Sequence, residues 1–171
     1  NNGPHPGILV FDIGNQNLNP ELGDGVDLSL RHNTERVRLE GSVYYYNIRN
    51  FVFPSFTGLT DTRSDLPIVE YAQGKSRYVG TEASIEARVL RTLWFNGKMD
   101  YVRAELTELN KPLPRIPPFR GTLGLDWRYK AWSVRPEMIL ANRQIRVFDN
   151  ETPTAGYAVL NLNISYTFVT R

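Results

Sequence analysis

Period-two alternation of apolar and polar side chains runs through most of the chain, and it limits the fold more than any other feature. Near the C-terminal end Ala158, Leu160, Leu162, Ile164, Tyr166 and Phe168 fall on one face, opposite Tyr157, Val159, Asn161, Asn163, Ser165 and Thr167. Gly121, Leu123, Leu125, Trp127 and Tyr129 oppose Arg120, Thr122, Gly124, Asp126 and Arg128 in the same way. The pattern predicts an all-β, antiparallel chain of about seven strands, near 25–33, 36–53, 68–90, 93–106, 119–129, 132–148 and 157–168. Residues 7–23 read as a further long loop with room for a short eighth strand at 8–13. Pro136, in mid-strand, lacks a ladder donor and predicts a bulge or an unpaired position.

Several of these strands reach the ~9–11 residues that a tilted strand needs to cross a bilayer, against a mean of ~5–6 in soluble proteins. Their connections alternate between tight turns at 34–35, 91–92 and 130–131 and long segments at 54–67, 107–118 and 149–156, the rhythm of an outer-membrane barrel. The mean hydropathy of −0.38 does not oppose this, because alternating strands average to a polar score. Aromatics gather at both ends: Tyr129, Trp132, Tyr166 and Phe168, with Trp94 and Phe95, at the short turns, and Tyr44, Tyr45, Tyr46, Phe51, Tyr71 and Tyr101 toward the long loops. Two aromatic girdles fit two membrane interfaces. The polar face carries Glu40, Glu82, Glu86, Lys98, Asp100, Asp126, Arg135 and Glu137, as a watery lumen requires. A soluble β-sandwich binding module alternates too, and a small self-standing barrel acting as anchor or adhesin has the same strands. Both alternatives stay open on pattern alone.

Other classes are disfavoured. The net charge is +2 with basic residues dispersed, so no nucleic-acid footprint is expected. With no cysteine there is neither a disulfide framework nor a thiolate metal site. Glu82 and Glu86 share a strand face but lie about 13 Å apart, too far for a two-carboxylate hydrolase. No nucleophile triad or phosphate loop is present, so the chain is not expected to be an enzyme or to hold a cofactor.

Five stretches resemble TonB-dependent receptors in order and spacing. They are Gly3-Pro4-His5-Pro6 with Phe11-Asp12-Ile13-Gly14-Asn15-Gln16-Asn17-Leu18-Asn19-Pro20-Glu21; Val43-Tyr44-Tyr45-Tyr46-Asn47-Ile48-Arg49-Asn50-Phe51-Val52; Tyr71-Ala72-Gln73 through Arg77-Tyr78-Val79-Gly80-Thr81-Glu82; Leu113-Pro114-Arg115-Ile116-Pro117-Pro118; and Glu151-Thr152-Pro153-Thr154-Ala155-Gly156-Tyr157 through Ser165-Tyr166-Thr167-Phe168. Gln16 departs from the family, where proline is usual.

The resemblance implies a transmembrane segment of a larger barrel, of the type with about 22 strands around an N-terminal plug. Residues 1–171 are then expected to be a partial barrel domain, without the plug and the final strands. The implied role is a fragment of an outer-membrane receptor for TonB-dependent uptake of a scarce nutrient, such as a ferric siderophore or another metal complex. The implied partners are the receptor's own plug, TonB, outer-membrane lipid and a small metal chelate. Glu82 matches a family glutamate that pairs with plug arginines, and Glu137 is assigned the same role by strand placement. Tyr44, Tyr46, Tyr71, Arg77, Arg115 and Arg143 lie toward the outer end and are candidate ligand contacts; girdle or loop packing is the other reading of each. The Gly3-Pro4-His5-Pro6 loop resembles that of a subgroup linked to zinc uptake, which makes His5 a candidate metal ligand, a solvated loop histidine being the alternative.

Overall fold

The computed structural model describes residues 2–149 and 151–168. Its elements are β1 (Asn2–His5), β2 (Val10–Ile13), β3 (Leu22–Asn33), β4 (Val37–Thr60), β5 (Pro67–Leu90), β6 (Leu93–Leu106), β7 (Lys111–Pro112), β8 (Arg120–Tyr129), β9 (Trp132–Ala141) and β10 (Tyr157–Tyr166). All belong to one sheet. β3, β4, β5, β6, β8, β9 and β10 form an antiparallel meander. Among the described residues no second sheet covers it, which removes the sandwich alternative: a sandwich needs two inner faces to bury. Instead large apolar side chains stay open on one face, with Leu28 70%, Leu160 75% and Leu162 64% exposed. In water such a face would be unstable; against lipid it needs no cover.

The cross-strand register fixes which residues share a face. Leu28, Val43, Thr81, Tyr101 and Leu39, Ile85, Gly97, Leu123, Met138, Leu160 run across the apolar face. Ser42, Glu82, Asp100, Arg120 and Arg38, Glu86, Asn96, Gly124, Glu137, Asn161 run across the polar face. The two-girdle expectation needs correction. Tyr45 and Tyr101 are on the apolar face at the long-loop end, with Trp127, Tyr129, Trp132 and Tyr166 at the short-turn end. Tyr44, Tyr46 and Trp94 fall on the polar face, because parity rather than depth decides which side a strand residue meets.

Strand lengths differ from the sequence expectation at the long-loop end. β4 and β5 each have 24 residues, so the expected loop at 54–67 contracts to residues 61–66. Pro54 therefore sits inside a strand, paired with Tyr71. It is tolerated because β3 pairs no further than Arg49, leaving that part of β4 as an edge. The expected strand at 132–148 stops at Ala141, where both its neighbours also end, at Arg120 and Tyr157. The short strand expected at 8–13 is present as β2, and it forms a hairpin with β1 from the segment before it. β2 then lies parallel to β5 from Phe11↔Ile68 to Ile13↔Glu70, beyond the reach of β6. At Pro136 the β8–β9 ladder is interrupted between Gly124↔Glu137 and Trp127↔Val134 with the register unchanged. Pro136 is thus unpaired on its β8 side while it stays in register with Leu162 of β10, and there is no bulge.

A bulge occurs elsewhere. Between Ile48↔Ser76 and Phe51↔Gly74 the register of β4 shifts by one residue, and Asn50 takes φ +57°. One extra residue reverses the parity of everything that follows. Phe51 and Phe53 thereby turn to the polar face, on the same side as Tyr78, Ala104 and Leu106. There they form the one buried apolar cluster of the described residues, Phe53, Ala104, Leu106, Leu113 and Phe148, with Phe51, Ala72, Tyr78 and Ile116 against it. Phe53 and Phe148 meet edge to face at 6.3 Å. The core thus sits at the long-loop end, where Leu113, Ile116 and Phe148 from the loops pack against the polar face.

Candidate functional site

The polar face between the short turns and this core is lined by ion pairs. Arg31 Nε is 2.7 Å from Glu40 Oε1, Arg38 Nη1 is 3.3 Å from Glu86 Oε2, and Arg120 Nη2 is 2.9 Å from Asp100 Oδ2. Arg128 and Arg135 both reach Asp126. Glu40, Ser42, Glu82, Ser84, Lys98, Asp100 and Arg120 line an open concavity of about 500 Å³. Glu82 stands in register with Asp100, so two carboxylates face each other there, with Lys98 on the Asp100 strand and Arg120 on the next. Glu137 is on the same face and accepts a 3.4 Å hydrogen bond from Asn161. It lies three strands from Glu82, about 14 Å across the sheet, so the two glutamates do not form one site.

Toward the core, Tyr44 and Tyr46 have ring centroids 5.8 Å apart. Each ring lies over a glycine of a neighbouring strand: a Cβ on Gly25 would collide with the Tyr46 ring, and one on Gly80 with the hydroxyl end of Tyr44. The Tyr46 hydroxyl donates to Asp27 at 2.5 Å. These two tyrosines form the aromatic part of the inner wall between the concavity and the loop core.

The other candidates are spread around the rim. His5 Nδ1 is 3.6 Å from Asp12 Oδ2 across the β1–β2 hairpin, and Asp12 Oδ1 is buried without a hydrogen-bond partner. No third acidic or histidine ligand joins them among the described residues. Arg115 (φ +59°) and Arg143 are exposed in loops. Arg77 is on the apolar-face parity, where its guanidinium pairs with Glu105. The Tyr71 carbonyl accepts from Asn15 Nδ2 at 2.9 Å. In the turn beyond β4, Asp61 accepts from the Ser64 hydroxyl and from the Ser64 and Arg63 amides, which holds its carboxyl below the usual range.

Sequence reasoning did not single out Gln73, Asn50, Glu21 or Glu105. Gln73 Oε1 accepts from Asn19 N at 2.8 Å, while its Nε2 donates to the Asn19 and Asn50 carbonyls at 2.7 Å each. Glu21 takes the Val52 amide at 2.6 Å and Asn50 Nδ2 donates to the Pro20 carbonyl at 3.1 Å. The groups freed by the bulge are thus satisfied by the segment before β3. In the same way Glu151 receives the Arg115 and Phe148 amides at 2.8 and 2.9 Å, and Gln144 donates to the Ile116 carbonyl. The five sequence stretches that set this chain apart therefore interlock in space.

The family model described as TonB dependent receptor-like, beta-barrel matches residues 1–171. The chain belongs to the TonB-dependent receptor β-barrel family. Solved structures give the same fold. The copper transporter OprC superposes with a TM-score of 0.81 at 19% identity, covering 88% of this chain and 24% of that one. The siderophore receptor PirA from Pseudomonas aeruginosa gives 0.69 at 14% identity, covering 94% and 26%. The ferric yersiniabactin uptake receptor FyuA from Yersinia pestis gives 0.64 at 17% identity, covering 85% and 22%. The chain spans about a quarter of the length of these solved TonB-dependent receptors.

Proposed function

We propose that this barrel portion serves an outer-membrane receptor that takes up a scarce metal complex, a ferric siderophore or a related chelate, with energy delivered through TonB to a plug inside the barrel. The carrying observation is the single sheet with an aromatic-bounded apolar face and a charged face roofed by packed loops, in a chain matched along its whole length by the family. Names of similar structures include both copper and siderophore transport, which fits metal uptake as a class. In this reading the short turns face the periplasm and the loop core faces outward. The unpaired edges of β3 and β10 join further barrel strands, since an open edge is untenable in lipid.

Tyr44 and Tyr46 on the inner wall, with exposed Arg115 and Arg143 in the loops, are assigned to the ligand; aromatic faces and guanidinium forks suit an anionic chelate. Arg77 pairs with Glu105 on the apolar-face parity and is not assigned to the transported ligand; Tyr71, bonded to Asn15 through its backbone carbonyl, keeps its phenol as a candidate contact. His5 pairs with Asp12 and is assigned to the hairpin rather than to a metal. Glu82 is assigned to a plug arginine, and Glu137 to a second contact further round the wall. The test is uptake of radiolabelled ferric siderophores and copper by cells with and without the full-length receptor, each with and without a protonophore. Loss of energy-dependent uptake of at least one metal complex is expected on deletion. Unchanged uptake of the whole panel would overturn the reading. In the full receptor Glu82→Ala is expected to raise ion leakage, because losing one partner of a buried pair costs on the order of 3–5 kcal/mol; wild-type conductance and uptake would remove the plug assignment.

A further inference from the structure

The apolar face carries one strongly charged feature. Glu105 is buried, its side chain 8% exposed, and three arginines from separate segments converge on it. Arg77 from β5 pairs with one carboxylate oxygen. Arg103 of β6 reaches the other at 3.1 Å and Arg146, from the segment after β9, reaches it at 3.3 Å. One carboxylate against three guanidiniums leaves two positive charges in excess. The neighbouring pairs Arg49–Asp24 and Lys75–Glu108 are each neutral, so they do not cancel it. The three arginine side chains remain 44%, 53% and 40% exposed, so their forks keep free donors.

The position of the cluster matters as much as its charge. Arg77 and Arg103 share the face of Val79 and Tyr101 and lie two residues further along their strands, toward the long-loop end. Arg103 stands level with Val79 and Tyr45, and Arg77 lies about 6.6 Å of strand beyond them, so the guanidiniums sit at the upper margin of the aromatic belt, against the headgroup layer. Directly below, Val26, Leu28, Val43, Tyr45, Val79 and Tyr101 line an open apolar groove of about 420 Å³. A cationic fork above an apolar groove matches a headgroup phosphate above an acyl chain.

We propose that Arg77, Arg103 and Arg146, held together by Glu105, bind a phosphate of an anionic lipid headgroup in the outer leaflet, with the lipid's acyl chain in the groove beneath. The proposal rests on the orientation given above, with the apolar face in lipid and the long loops outside. It is tested on the full-length receptor in detergent, by native mass spectrometry with bis-phosphorylated lipid A, its dephosphorylated form, and inorganic phosphate as competitor. The wild type is expected to hold the phosphorylated lipid about tenfold more tightly than the dephosphorylated one, the size of one charge-assisted hydrogen bond. Arg103→Gln with Arg146→Gln is expected to remove that preference, while Arg103→Lys alone keeps most of it. Equal binding of both lipids, or an unaltered preference in the double variant, overturns the proposal. Competition by inorganic phosphate at equal concentration assigns the site to free phosphate and overturns the lipid. Heat-modifiable migration on gels checks that each variant is folded. A lipid-confined quencher at Leu162→Cys tests the orientation separately: no lipid contact there refutes the membrane reading itself, whereas lipid contact with lost selectivity refutes only the site.

Discussion

At the scale of single residues, the tyrosine–glycine contacts decide local fit. Tyr46 lies over Gly25 through the root of its ring, whereas Tyr44 reaches Gly80 with its hydroxyl end, which has more freedom to move. Overpacking a fitted contact costs roughly 1–3 kcal/mol. Gly25→Ala is therefore expected to lower the urea midpoint of the folded receptor more than Gly80→Ala, and combining Gly25→Ala with Tyr46→Ala should recover part of the loss. Equal midpoints for the two single variants would contradict the geometry. Asp61 gives a residue-scale dependence on pH. Its carboxyl is depressed by the hydrogen bonds from Ser64 and Arg63. Its contribution is thus complete above the unfolded value of about 3.9 and is lost as pH falls through the lower folded value. Protection of the Ser64 amide from hydrogen exchange, relative to its intrinsic rate at each pH, should persist at pH 5 and fall only in stronger acid; Asp61→Ala should remove it at both.

Elements are governed by parity and by the bulge. On β10, Leu162 faces the apolar side opposite Pro136, while Asn161 faces the polar side opposite Glu137. Leu162→Arg is expected to cost roughly 2–4 kcal/mol, the range for arginine at the bilayer midplane. Asn161→Arg meets a carboxylate and should leave the folded fraction in lipid vesicles unchanged. A similar loss in both would mean that the strand does not divide lipid from water. At the bulge, Gln73 holds Asn19 to Asn50. Gln73→Ala should speed proteolysis of segment 14–21 several-fold while heat-modifiable migration stays unchanged, because that segment lies outside the transmembrane ladder.

At the scale of the whole molecule, the described residues form one sheet whose antiparallel meander ends on β3 and β10. Every residue of both edge strands is exposed. A sheet of this kind has no buried centre between its ends; its core is gathered under the loops, and its stability in the transmembrane part depends on lipid outside and pairing at the edges. The 171-residue polypeptide expressed alone is expected to associate through those edges, and light scattering on refolded protein should show particles larger than a monomer. A closed monodisperse monomer would refute that account.

Much of this architecture is legible in the amino-acid sequence alone. Alternation over ten or more residues fixes strand identity and face because side chains on a strand repeat every two residues, a purely local property. The parity of Leu162 and Asn161, the tight turns and the odd role of Pro136 all follow from it. What the sequence conceals depends on pairing between distant segments. Asn50 in a left-handed conformation carries no signature strong enough to announce a bulge, yet it turns Phe51 and Phe53 inward and creates the loop core. Pro54 looks like a strand end because nothing local shows that β3 leaves its edge free there. Arg103 and Glu105, two apart on one face, are a visible hint of an ion pair, but Arg77 and Arg146 lie 28 and 41 positions from Glu105 and meet it only once the sheet is assembled. Period and turn chemistry are set residue by residue; which charges converge, and on which side of the wall, is set by register and by the folding of the loops.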